Sequence, residues 1–187
     1  MFIEHNPMVI FGQKSVLKKI FQYDISDESD SLMKNNNIQA ISLFSGAGGL
    51  DLGCLLNGIE IKVSMDFDND SIETLKKNHQ FSGTEIIKAD IKKYKPKSLE
   101  KYLNGKKTII IGGPPCQPFS KNGYWIENIN RKITKDPRNC INDFFRFVKN
   151  LNPEGFLIEN VESILHPTNK GAIQYIINST KKLNYHF

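Results

Sequence analysis

The chain is poor in the residues that staple proteins together or anchor them. Its 187 residues hold three cysteines, Cys54, Cys116 and Cys140, widely spaced and outside any Cys-x-x-Cys pair. That pattern argues against a disulfide framework and a cysteine-based zinc site, and it suits a reducing, cytoplasmic setting. His5, His79, His166 and His186 show no ligand spacing, so no metal is assigned. No apolar stretch approaches the ~20 residues of a membrane helix. Glu4, His5, Asn6 and Pro7 interrupt the opening residues where a signal peptide would keep an apolar run, so no membrane is expected as a partner. Charge of one sign is scarce as well: 25 Lys and Arg against 20 Asp and Glu leave +5. This mild excess is compatible with a polyanionic partner without requiring one, because pairs such as Lys92-Lys93 and Lys106-Lys107 also decorate solvated faces.

What is present has order. Residues 1–37 stand apart as an N-terminal helix and polar linker: Val16, Leu17, Ile20 and Phe21 recur with a helical period over Lys14 to Tyr23, and an acidic run from Asp24 to Ser31 follows. Residues 38–187 alternate apolar strands with amphipathic stretches, the pattern of a doubly wound, mostly parallel α/β sheet. Strands are expected over Ile38–Phe44, Ile59–Met65, Glu85–Lys88, Thr108–Ile111 and Gly155–Ile158. Helices are expected over Leu50–Asn57, Asn69–Asn78, Ser98–Leu103, Asn139–Asn150 and Lys170–Lys182. Ser120 to Pro137 has no period and is long for a connection inside a domain, a length usually tied to function.

Three places along this frame carry chemistry. The first strand runs into Phe44-Ser45-Gly46-Ala47-Gly48-Gly49-Leu50, where a glycine turn aims backbone N–H groups at whatever sits above the sheet. Glycines also serve ordinary strand-to-helix turns, so the companion acid matters: Asp66 follows Gly46 by the ~20 residues expected of a ribose-binding carboxylate, with Phe67 beside it. Asp90, closing the third strand ahead of Ile91, suits an exocyclic purine amine or a plain helix cap. Pro114-Pro115 stiffen the backbone before Cys116, which places that thiol as a nucleophile rather than as packing. Arg138 is a candidate cation to favour the thiolate, and Glu159 ends the fifth strand at the same carboxyl edge. Cys54 and Cys140 fall on expected helices and read as packing residues. On these grounds a nucleotide-binding oxidoreductase, which would use the glycine turn and Asp66 but not Pro-Pro-Cys, and a non-enzymatic scaffold stay open beside a nucleophilic enzyme.

Phe44-Ser45-Gly46-Ala47-Gly48-Gly49-Leu50-Asp51-Leu52-Gly53, Gly112-Gly113-Pro114-Pro115-Cys116-Gln117-Pro118-Phe119-Ser120 and Glu159-Asn160-Val161 together resemble, in order, three motifs of the C5-cytosine methyltransferases. The resemblance runs from Ile38 to the end of the chain. It implies S-adenosyl-L-methionine as cofactor, held by Phe44 to Leu50, Asp66 on the ribose, Phe67 against the adenine, Asp90 and Ile91 at the adenine amine, and Pro114. It implies further that Cys116 adds to C6 of a cytosine flipped out of DNA, that Glu159 bonds N3 and the amino group, and that Arg138 contacts the flipped nucleotide or its phosphate. Ser120–Pro137 would close over the base. The same cysteine and acid serve relatives that methylate transfer RNA. The family pattern continues beyond Phe187 through a further strand, an Arg-x-Arg element, a target-recognition region and a last cofactor motif. The expectation is therefore an incomplete enzyme, either inactive as a fragment or complemented by a second polypeptide that carries recognition.

Overall fold

The computed structural model describes residues 7–13, 37–115, 140–165 and 170–186. Six strands form one sheet in the order β1-β6-β5-β2-β3-β4, from β1 (Pro7–Gln13), β2 (Ile38–Leu43), β3 (Glu60–Asp66), β4 (Glu85–Lys88), β5 (Lys107–Gly112) and β6 (Gly155–Val161). Strands β2 to β6 run parallel, and β1 lies antiparallel on β6. Helices α1 (Gly49–Leu56), α2 (Asn69–Lys77), α3 (Ile141–Leu151) and α4 (Lys170–Lys182) connect them. The expected α/β class and parallel sheet are thus observed.

Strand β2 is buried at all six positions, as a central strand covered on both faces must be. One face packs Ala40, Ile61, Ile109 and Ile111 against Cys54 of α1. The other packs Leu43, Met65, Ile110 and Ile158 against Phe144, Phe147 and Val148 of α3 and Ala172 and Ile176 of α4. A bulge lets β3 switch sides: Ala40 pairs with Ile61 but Ile41 with Val63, so one extra residue reverses the alternation. The switch turns Ser64 toward α1, where it meets Asp51.

Helix boundaries follow local chemistry. The Asp68 carboxylate caps α2 by accepting the Ser71 N–H at 2.8 Å. Asn152, in the left-handed region at φ 47°, ends α3. The turn before α1 demands glycine at position 48: its φ is 88°, and a Cβ there would stand 2.7 Å from both Leu75 and Phe81. The expected helix at Ser98–Leu103 is a 3-10 helix over Pro96–Tyr102, since Pro96 removes one donor and the segment is too short to settle into an α-helix.

Strand β1 was not expected. Pro7, Gly12 and the polar residues ahead of Pro7 hide the strand signal in a stretch expected to belong to an N-terminal helix and linker. In the structure it pairs with β6 over seven positions, from Pro7 opposite Val161 to Gln13 opposite Gly155. On its other edge Gln13 exchanges two backbone hydrogen bonds with His186, 2.9 and 2.8 Å. The pairing also explains why β6 runs on to Val161, beyond Ile158, its last residue opposite β5. The expected helix at Lys14–Tyr23, the acidic linker and Ser120–Pro137 lie outside the described residues.

Candidate active site

The strands deliver their carboxyl ends to one edge, and there the chain makes its unusual turns. Phe44 takes the left-handed region at φ 56°, a strained choice for a bulky residue, and Gly46 follows at φ 52°. Ser45, buried, fixes the turn: its N–H donates to the Met65 carbonyl at 3.1 Å and its hydroxyl to Ser42 Oγ at 3.0 Å. Beneath lies a buried acid. Asp51 is fully enclosed and accepts hydrogen bonds from the Ser42 and Ser64 hydroxyls, both at 2.5 Å. Burial pushes its carboxyl above the ordinary value, while the two serine hydroxyls oppose the rise.

Asp66 joins the turn to the next strand. Its Oδ2 accepts the Gly46 N–H at 2.8 Å and its Oδ1 accepts the Asp68 N–H at 2.9 Å. The acid expected at a ribose therefore also braces the glycine turn, and each oxygen keeps a lone pair for a hydroxyl. Phe44, Asp66, Phe67, Asp90 and Ile91 line one cavity of about 270 Å³. Phe67 is 69% exposed, which leaves its ring open at the cavity wall. Asp90 accepts the Lys92 N–H at 3.0 Å and stands 3.7 Å from the Lys93 ammonium. Ser45 to Leu50 do not line this cavity; they form the turn beside it. Pro115 reaches the cavity and Pro114 does not.

Glu159 sits at the other flank, half-buried, in the part of β6 that overshoots β5. Its Oε2 would lie 2.9 Å from a Cβ at position 113, so Gly113 leaves the carboxylate room to stand over the backbone. Asn160 is buried, and its side-chain N–H donates to the Pro114 carbonyl at 3.0 Å while its Oδ1 accepts the Val161 N–H at 2.9 Å. One side chain thus binds the diproline segment to the strand carrying the acid. Cys116 and Arg138 lie outside the described residues.

Two contributors escaped sequence reasoning. Asn160 belonged to a quoted motif but had no role, because its partner is 46 residues away. Cys140, assigned to helix packing, stands at the N-cap of α3 and forms part of the cavity wall. Burial pushes its thiol up, which keeps it protonated and uncharged. Cys54 is a packing residue as expected, buried in α1 with its thiol pushed up to about 11 by burial and by the nearby Asp51 carboxylate. Among the described residues no group of three metal-ligating side chains occurs, and no helix is long and apolar enough to cross a membrane.

Comparison with known proteins converges on one chemistry. The family model described as C-5 cytosine-specific DNA methylase matches residues 38–187. The type II methyltransferase M.FnuDI of Fusobacterium nucleatum is 38% identical over 149 residues, covering 79% of this chain and 39% of the relative. M.NgoPII of Neisseria gonorrhoeae is 37% identical over 142 residues, covering 76% and 38%. A DNA modification methyltransferase encoded within an E. coli prophage superposes with a TM-score of 0.61 at 30% identity, over 78% of this chain and 38% of the other. The chain spans about two fifths of the length of these relatives. Spodoptera frugiperda DNMT2, at 23% identity and a TM-score of 0.53, shares the fold.

Proposed function

The chain belongs to the C-5 cytosine-specific DNA methylase family, and from that premise we propose that it carries the cofactor-binding and catalytic part of an enzyme that methylates C5 of cytosine in DNA. The observation that supports this most is the shared edge: a nucleoside-sized cavity with an open aromatic ring on one flank, and on the other a carboxylate held over the backbone that leads into Cys116. The cavity suits S-adenosyl-L-methionine, with Phe67 against the adenine, Asp66 toward the ribose and Asp90 toward the amine. When bound, that cofactor supplies a methyl group on a positively charged sulfur.

The protein's own part is to make cytosine reactive. C5 is a poor nucleophile while the ring is aromatic. A Cys116 thiolate uses its electron pair to form a bond to C6, which breaks the C5–C6 double bond and raises electron density at C5. Glu159, hydrogen-bonded at N3 and the amino group, stabilises the charge that reaches the ring as sulfur attacks. Once C5 carries the methyl group, loss of its proton restores the double bond and expels the thiolate. Arg138 holds the target nucleotide or its phosphate. A base stacked in a duplex is out of reach, so the cytosine must be everted.

The chain spans about two fifths of these relatives' length, and we infer from the family pattern that target recognition is supplied from outside these 187 residues, by further chain or by a second polypeptide. Transfer RNA is a weaker alternative substrate, because the family model and the relatives compared above are DNA methylases. The test uses the complemented protein, S-adenosyl-L-methionine and duplex DNA with 5-fluorocytosine at the target. Fluorine at C5 cannot leave as a proton does, so the wild type is expected to remain covalently bound on a denaturing gel. Cys116→Ser is expected to give no adduct. Equal adduct from both proteins, or none from a complemented wild type that binds the cofactor, overturns the assignment.

A further inference from the structure

Asp90 stands on a loop between Ala89, whose N–H donates to the Asp66 carbonyl at 2.8 Å, and Ile91, which is buried in the core. It follows β4, an edge strand paired on one side only with β3, and its side chain is 44% exposed. The loop is tied from a different part of the chain. Arg146, on α3, donates Nη1 to the Tyr94 carbonyl at 2.9 Å and Nη2 to the carbonyls of Ile91 and, at 3.4 Å, Lys92. Asp143, one turn earlier, lies 3.6 Å from the same Nη2 and orients the guanidinium, which also packs 5.0 Å from the Phe147 ring. Within the loop the Asp90 carbonyl accepts the Lys93 and Tyr94 N–H groups, each at 3.0 Å. The turn is thus closed at its start by Asp90 and held along its outer carbonyls by one planar fork. A guanidinium is suited to this, since its donors are rigidly spaced; a lysine ammonium is not.

We propose that Arg146 is a positioning residue for cofactor recognition: by clamping the carbonyls of residues 91, 92 and 94 it fixes the Asp90 carboxylate as an acceptor facing the purine 6-position. The inference rests on the reading of the cavity as the site of an adenosyl cofactor. A fixed carboxylate pairs with a 6-amino group and meets a 6-oxo group acceptor to acceptor, which is a rejection as well as a preference. Loosening the loop removes the rejection without emptying the cavity.

The experiment compares two ligands on each protein. Calorimetric affinities for S-adenosylhomocysteine and S-inosylhomocysteine are measured for the wild-type chain and for Asp90→Asn, Arg146→Ala and Arg146→Lys. The ratio of the two is the readout, because general destabilisation lowers both affinities together. The wild type is expected to prefer the adenosyl ligand, Asp90→Asn to lose the preference, and Arg146→Ala to lose about tenfold of it, the worth of roughly one well-formed hydrogen bond. Arg146→Lys, which keeps the charge and is the measurement to rely on if the alanine variant does not fold, is expected to fall between. A wild-type ratio in every folded Arg146 variant, while Asp90→Asn loses it, overturns the positioning role and leaves the cavity assignment intact. No preference in the wild type overturns both.

Discussion

The two flanks of the sheet's carboxyl edge are tied together over different distances along the chain. Around the glycine turn the bonds are short in sequence: Ser42 to Asp51 spans 9 residues, Ser64 to Asp51 spans 13, and Gly46 to Asp66 spans 20, while the Asp90 loop is held by Arg146 from 52 to 55 residues away. On the catalytic flank they are long. Asn160 reaches back 46 residues to Pro114, and at the amino end of β6, below this flank, the Tyr185 hydroxyl donates to the Pro153 carbonyl 32 residues away and Gln13 pairs with His186 near the opposite end of the chain. The glycine turn is built by consecutive strand-turn-helix units that set one another, and only the Asp90 loop beside it depends on α3. The catalytic flank depends on an aromatic cluster, Phe144, Phe145, Phe156, Tyr175 and Tyr185, whose rings meet edge to face at 5.3 to 6.3 Å and which draws on three separate segments. Damage should therefore separate the two.

The heaviest blow falls at Gly12. A Cβ there would lie 2.3 Å from the Phe156 ring, which is fully buried and has no room to retreat. Gly12→Val is expected to cost about 3 kcal/mol, read as a lower urea midpoint, because overpacking a closed core forces both partners from their minima. It should also reduce the 5-fluorocytosine adduct while S-adenosylhomocysteine affinity, measured well below the midpoint, stays within about threefold, as for distant and independent sites. An unaltered midpoint would show that β1 does not press on Phe156; equal loss of affinity and adduct would show that the flanks are one unit.

Asn160→Ala and Asp66→Ala sharpen the contrast from both sides. Asn160→Ala leaves the Pro114 carbonyl unpaired in a buried place and is expected to cost about 2 kcal/mol. Its adduct rate should fall, with cofactor affinity unchanged. Asp66→Ala strips the acceptor from the Gly46 and Asp68 N–H groups and should do the opposite first, weakening the cofactor by about tenfold. Rapid-quench adduct formation and calorimetry on the same preparations separate the two effects. If both variants lower affinity alike, Asn160 holds the cofactor side as well.

The same contrast explains what the sequence could disclose. Strand β4 agrees with its expected bounds, and β2, β3 and β5 agree to within a residue or so; for β2 and β5 the reason is burial on both faces, which writes a strand as a largely apolar run. Asp66, Phe67 and Asp90 are candidates by their positions at strand ends, and all three line one cavity. Strand β1 could not be read so: its seven residues include a proline and a glycine, and its partner lies far along the chain, with Pro7 opposite Val161 and Gln13 opposite Gly155. Nor could the inward turn of Ser64, which depends on a bulge that no composition announces. Arg146 carries no local signal of its role, because its three carbonyl partners lie 52 to 55 residues earlier in the chain.

The gentlest test is a titration of Asp51, on the cofactor flank. Burial raises its carboxyl above 3.8, the ordinary value, so the folded protein holds that proton more tightly than the unfolded chain does. The resulting stability is present in full below that ordinary value and is lost as pH rises through the folded one. Asp51→Asn, neutral throughout and still able to bond Ser42 and Ser64, carries no such dependence. Urea midpoints of the two proteins, measured from mildly acidic to neutral pH, should show the wild type losing ground to the variant as pH increases, since every other titrating group contributes equally to both. A wild type that gains on the variant over that range would mean that the two serine hydroxyls outweigh desolvation and hold Asp51 as a buried anion, which would place a fixed negative charge directly beneath the glycine turn.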